Sequence, residues 1–149
     1  MSDATDDATD DATNGAAGEP PLRSFQVERL PVRVYADEAA LGRAAAQDMA
    51  RLVREAVAAR GEATLILATG NSQLAFLRSL RRAEGIDWGR VRIFHMDEYV
   101  GIAPEHPASF PRFLHAHFLD HVEGASFHPI AGDAARAAET CAGYEALLR

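Results

Sequence analysis

Two short stretches of this chain hold residue types that could do chemistry. The first is Thr69-Gly70-Asn71-Ser72. It follows an apolar run and precedes an amphipathic one, so it joins a strand to a helix start. Backbone N–H groups at a helix start lack partners within the helix and attract anions. Gly70 lets the backbone take a positive φ or approach a ligand closely. Asn71 or Ser72 could cap the helix, leaving other donors to face outward. Such a turn can hold a phosphate, and it can also be a plain connection that binds nothing. The second stretch is Met96-Asp97-Glu98-Tyr99, directly after another apolar run. A carboxylate at a strand end acts as a general base if its site is partly dry. It can equally cap the next element. His95 stands beside these acids and is read as part of the same pocket.

Other chemistries find less support. His117 and His121 are four apart on an expected helix and would share a face. A zinc site needs a third protein ligand, and no His-Glu-x-x-His pattern or cysteine partner accompanies them. The expectation is therefore a polar helix flank and no metal. The single cysteine, Cys141, excludes a disulfide framework and reads, like Trp88, as a packing residue. All 15 basic residues are Arg. A Schiff-base lysine or a P-loop lysine is thus absent from these residues.

The elements that must position the two stretches follow from periodicity. Val32-Arg33-Val34-Tyr35 alternates as a strand does. Asp37 is placed to cap a long helix that Gly61 stops, with Leu41, Ala45, Met49, Leu52, Val53 and Ala56 at helical spacing. Residues 63–68 form a continuous apolar run, which predicts a strand buried on both faces. A helix carrying Leu74, Leu77 and Leu80 runs to Gly85, and residues 91–95 form the next strand. A polar loop spans 97–107. A helix over 109–122, a short strand over 127–130 and a helix over 133–149 capped by Asp133 complete the series. This alternation predicts an α/β fold: an open, Rossmann-like parallel sheet flanked by helices. Ligands of such sheets bind at the carboxyl ends of the strands, where 69–72 and 95–99 both lie.

The chain has 149 residues, 48% hydrophobic and 25% charged, an ordinary balance for one globular domain. Its formal net charge is −7. Asp3, Asp6, Asp7, Asp10, Asp11 and Glu19 supply most of it, and no base precedes Arg23. Residues 1–21 repeat Asp-Ala-Thr and carry no large apolar side chain before Leu22 apart from Met1, so a disordered acidic tail is expected there. Residues 22–149 are the expected domain. That part is nearly neutral, which argues against a nucleic-acid partner. No apolar run approaches a membrane span and the N-terminus lacks a secretory pattern, so a cytoplasmic protein without a membrane partner is expected.

The residues Phe94-His95-Met96-Asp97-Glu98-Tyr99-Val100-Gly101, then Glu105-His106-Pro107-Ala108-Ser109-Phe110, resemble a family pattern. In the glucosamine-6-phosphate isomerase/deaminase family, which lies in one superfamily with 6-phosphogluconolactonases, these stretches run F-N-M-D-E-Y-V-G and E-H-P-x-S-Y. Leu67-Ala68-Thr69-Gly70-Asn71-Ser72 resembles its phosphate loop, Phe118-Leu119-Asp120-His121-Val122 its F-F-D-H-V segment, and Tyr144-Glu145 a later Y-E pair. The resemblance covers about residues 30–149.

The resemblance implies a Rossmann-type sheet without a cofactor, and an enzyme of aminosugar metabolism. Its members convert glucosamine 6-phosphate to fructose 6-phosphate and ammonia, as in N-acetylglucosamine catabolism. It implies Asp97 as the acid that moves a proton between C2 and C1. Thr69, Gly70, Asn71 and Ser72 would hold the phosphate, with Glu98 and His95 lining the substrate. His95, Gln73 and Phe110 replace the usual Asn, Pro and Tyr. The family's D-G-H motif for ring opening and its phosphate-binding lysine have no counterpart here. The expected unit is therefore the N-terminal part of a family domain, inactive alone, that forms a homo-oligomer or meets a complementing C-terminal half. Two alternatives stand beside it: a non-catalytic sugar-phosphate-binding module and a 6-phosphogluconolactonase-like hydrolase. A module of the first kind in a regulator would carry a DNA-binding helix pair, and a hydrolase of the second kind shows D-E-R where this chain has Asp97-Glu98-Tyr99.

Overall fold

Residues 22–34 alternate apolar and polar side chains closely enough to fold back on themselves. In the computed structural model, which describes residues 20–149, β1 (Arg23–Val27) and β2 (Leu30–Val34) form an antiparallel hairpin with Val27 opposite Leu30. Glu28 turns the chain at φ 53°. The expected 32–35 strand is thus corrected in its setting. It pairs with its immediate predecessor rather than entering the parallel sheet, because a two-residue connection permits only an antiparallel partner. An ion pair between Arg33 and Asp48 holds the hairpin to the first helix. The tail expected over 1–21 lies almost wholly outside the described residues.

α1 (Glu38–Arg60) begins and ends as its sequence dictates. The Asp37 carboxylate accepts the Ala40 N–H at 2.7 Å. At the other end Gly61 takes φ 83° and donates its N–H to Val57. The buried stripe overlaps the expected one in part: Val53 is buried as expected and Met49 and Ala56 pack half-buried against the core. Ala40, Gly42, Ala44, Ala46, Ala50 and Val53 are buried, while Leu41 and Leu52 are half exposed. The reason is a close helix crossing: a Cβ on Gly42 would stand 2.6 Å from the Ala75 carbonyl carbon. Small residues are what permit that approach.

β3 (Ala63–Leu67) leads into a short 3-10 turn at Asn71–Gln73 and then α2 (Leu74–Leu80). The helix ends before the expected Gly85. β3 is buried on one face only: Ala63, Leu65 and Leu67 are covered, whereas Thr64 and Ile66 are exposed. β4 (Val91–His95) pairs parallel to β3 with Leu67 opposite His95. α3 (Phe110–His117) stops at Phe118, whose φ −144° and ψ −60° break the helix, and a 3-10 turn at Leu119–His121 follows. The continuous 109–122 helix is therefore divided, and His117 and His121 share no helix face. His115 pairs with Asp120 at 2.8 Å, and the His121 ring donates to the Ala116 carbonyl. β5 (Ser126–His128) pairs parallel to β4, and α4 (Ala137–Leu148) closes the chain. α4 starts after Arg136, without an Asp133 cap.

The sheet order is β3-β4-β5. Val91 and Ile93 point into the main core with Val53, Leu77, Leu80, Leu114 and Phe118. The Trp88 indole meets the Phe118 ring edge-on at 5.3 Å, as a packing residue should. Phe94 points the other way and is covered by Tyr144 of α4 and by His128. Cys141, expected in packing, is exposed on α4. No described helix is long and apolar enough to cross a membrane.

Candidate active site

The carboxyl ends of β3 and β4 lie side by side because their register is fixed at Leu67 and His95. The Met96 N–H donates to the Leu67 carbonyl at 3.3 Å, carrying the pairing one residue further. Adjacent strands are about 4.8 Å apart. The chain therefore emerges from the two strands as neighbouring loops, one holding 69–72 and the other Asp97.

Gly70 sits at φ 105° and ψ 169°, a region that L side chains essentially do not enter. This backbone bends β3 sharply into the turn, and the Gln73 N–H closes it on the Gly70 carbonyl at 3.0 Å. Neither Asn71 nor Ser72 is a helix cap; Gly70, which has no side chain, precedes the 3-10 turn, and Gln73, whose side chain makes no capping bond, precedes α2. Asn71 and Ser72 are exposed, and Thr69 and Gly70 half-buried. The capping role read from the sequence is thus replaced by an open turn whose polar side chains face solvent.

Asp97 is exposed at the end of β4, and among the described residues its carboxylate accepts no hydrogen bond. Glu98 is different. One of its oxygens accepts the Tyr99 N–H at 2.8 Å, and the other accepts the Ser109 hydroxyl at 3.1 Å and the Phe110 N–H at 3.0 Å. The last bond satisfies a first-turn donor of α3, so Glu98 caps that helix from a distance and holds the loop against it. Ser109 is buried for the same reason. His95 is buried to 1% exposure. Burial pushes its imidazole below the ordinary range, opposed by the Asp97 backbone and the charges of Glu98 and Asp97. The structure thus has Asp97 and the 69–72 loop leave neighbouring strand ends, and engages Glu98 and His95 with the protein's own loops.

Sequence reasoning passed over two supports of this site. Tyr144 of α4 accepts the His95 N–H at 2.9 Å and lies 3.1 and 3.0 Å from the carbonyls of His95 and His128. Its one proton serves one of those carbonyls at a time. Burial raises its phenol above the usual range. Gly132 supports the acid loop: its carbonyl accepts the Gly101 N–H at 2.7 Å. A Cβ there would stand 2.7 Å from the Tyr99 carbonyl oxygen. Tyr144 was visible as part of a Tyr-Glu pair, but nothing in a single sequence connects it to the end of β4.

The family model described as "Glucosamine-6-phosphate isomerases/6-phosphogluconolactonase" matches residues 36–149. The chain belongs to this family. Glucosamine-6-phosphate deaminase 2 of Bacillus subtilis (strain 168) is 33% identical over 105 residues, covering 67% of this chain and 42% of that protein. Glucosamine-6-phosphate deaminase of Porphyromonas gingivalis (strain ATCC 33277) is 38% identical over 100 residues, covering 64% and 38%. Among solved structures, a monomeric glucosamine-6-phosphate deaminase superposes with a TM-score of 0.67 at 24% identity, over 75% of this chain and 47% of that one. A 6-phosphogluconolactonase from Shewanella baltica OS155 gives 0.66 at 26%, over 76% and 48%. The chain therefore spans less than half the length of each of these isomerase/lactonase-family relatives. Its parallel sheet flanked by helices is the family's fold in part, as the alternation of elements implied.

Proposed function

We propose that the chain carries the phosphate-holding and proton-transfer part of a glucosamine-6-phosphate deaminase-like enzyme. The observation that supports this reading is the register of β3 and β4, whose paired ends at Leu67 and His95 lead into the 69–72 turn and to Asp97. The turn would hold the phosphate of the opened sugar through Thr69, Ser72 and its backbone N–H groups. A phosphate fixed there sets the sugar's register, so that its other end reaches Asp97. Asp97, whose carboxylate accepts no hydrogen bond among the described residues, is available to take the proton from C2 and return it to C1. Shift of the double bond leaves the amine on an unsaturated C2, where water adds and ammonia departs, giving fructose 6-phosphate. Glu98 holds the loop rather than reacting.

Calorimetric titration tests this. Glucosamine 6-phosphate should bind and unphosphorylated glucosamine should not, and Ser72→Ala should weaken the phosphate ligand. Equal binding of both sugars would overturn the reading. Hydrolysis of 6-phosphogluconolactone, with no response to glucosamine 6-phosphate, would assign the site to the other branch of the family.

A further inference from the structure

The His95 ring lies at the end of β4 between the rings of Phe127 at 5.6 Å and Tyr144 at 6.3 Å. Its Nε2 accepts the Ile130 N–H at 2.8 Å. An accepting ring nitrogen carries no proton, so the neutral imidazole holds its proton on Nδ1. Nδ1 is itself buried and has no hydrogen-bond partner among the described residues. Ile130 belongs to the 129–132 turn. That turn is joined at its far end to the acid loop, through the Gly101 bond to Gly132 and the contact of Gly132 with Glu98, Tyr99 and Ile102. The turn thus links the His95 ring to the loop that carries Asp97, whose backbone at its start also lies against the ring.

We propose that His95 is a positioning residue: its neutral, Nδ1-protonated ring anchors the 129–132 turn, and through that turn sets the 97–102 loop and the presentation of Asp97. The proposal rests on the reading of Asp97 given above. In this role His95 acts through the turn and not on the reacting atoms. Removing its acceptor leaves the part-buried Ile130 N–H without a partner, a costly state that the turn relieves by opening to water. The Gly132 carbonyl moves with it, and the Gly101 bond is the next to loosen. An imidazolium has the same effect, since both of its nitrogens donate and Nε2–H would face N–H. The titratable groups around the ring are Asp97 and Glu98 on the loop, which favour the imidazolium, and Tyr144 on α4. From β5 the ring meets Phe127.

The test uses the full chain labelled with ¹⁵N, with His95→Gln, which keeps an acceptor, and His95→Leu, which does not. Ring ¹⁵N shifts of the wild type should show Nε2 unprotonated. In His95→Leu the Ile130 and Gly101 amides should exchange about tenfold faster or more, with Leu65 in β3 unchanged, while His95→Gln restores most of the protection. Glucosamine 6-phosphate should bind about tenfold more weakly to the Leu variant and near normally to the Gln variant. An Nε2–H tautomer, unchanged exchange at Ile130, or faster exchange with unchanged affinity would each overturn the proposal. If His95→Leu does not fold, acid titration of the wild type decides. Exchange at Ile130 and Gly101 must rise as the imidazolium signal appears, and a flat response overturns the anchor. Failure of exchange alone leaves the site reading standing. A wild type that binds no glucosamine 6-phosphate removes the site reading, and the positioning role with it, even where the anchor is seen.

Discussion

Asp97 and Glu98 are adjacent in the chain and opposite in what the fold asks of them. Glu98 has three donors on its carboxylate, while Asp97 is exposed at the end of β4. In any form of the protein that turns over, Asp97→Asn should cut kcat by about a hundredfold or more, the usual scale for a lost general base. Sugar-phosphate binding should change far less, and exchange of the C2 proton with solvent deuterium should stop. Near-normal turnover in the Asn variant would make Asp97 an ordinary loop acid. His95 yields a second expectation. Burial lowers its imidazole from the ordinary 6.5, so on acidification the unfolded chain takes up this proton first. Its contribution to stability is present above that value. It is lost progressively as the pH falls toward the folded-state value, below which the loss is complete. Denaturant unfolding followed across that range should show the loss in the wild type and a smaller slope in His95→Gln. Equal slopes would show that His95 does not supply it. The types of Asp97 and the 69–72 residues were legible because strand ends and turn chemistry are local. The parts played by Glu98 and His95 were not, since their partners lie 11 and 35 residues away.

At the scale of elements, local rules were reliable where the chain itself closes the structure and failed where a neighbour decides. Asp37 and Gly61 bound α1 as read, because both caps are made within one turn. The face that α1 buries departs from its periodicity at Leu41 and Leu52, which stay half exposed because α2 packs on alanines and Gly42, while Val53, Met49 and Ala56 do face the core. β3 read as buried on both faces because every residue but Thr64 is apolar. The described elements cover only the face of Ala63, Leu65 and Leu67. The α1–α2 crossing gives a direct check. Gly42→Ala forces a methyl to within 2.6 Å of the Ala75 backbone carbon, and neither helix backbone can yield cheaply. Overpacking of this kind costs about 1–3 kcal/mol. Thermal or denaturant unfolding should show that loss, whereas Gly143→Ala, on α4 with nothing among the described residues within 4 Å of the added methyl, should not be destabilising. A neutral Gly42→Ala would mean that the helices stand further apart than the crossing described.

The molecule as a whole presents a site with few walls. β3 has β4 as its single strand neighbour among the described residues, and its outer face shows Thr64 and a half-exposed Ile66. The matched stretches are 42% and 38% of two related deaminases. No Lys and no Asp-Gly-His tripeptide occurs in these residues, so the ring-opening pair and the phosphate lysine implied by the family resemblance are not among them. Residues that act as a catalytic unit lose most of the rate when one member is gone. A protein made of these 149 residues should therefore bind glucosamine 6-phosphate and release no ammonia from it. An unpaired strand edge beside an exposed apolar face also favours pairing with a second copy. Light scattering should then report a mass above the monomer, and Ile66→Lys should lower it. The decisive measurement is ammonia release by purified chain, followed together with its mass. Robust turnover by a monodisperse monomer would overturn the prediction. Ring opening would then have to be done by side chains already present, and the exposed histidines, beginning with His106 in the segment that follows Asp97, would be the groups to replace next.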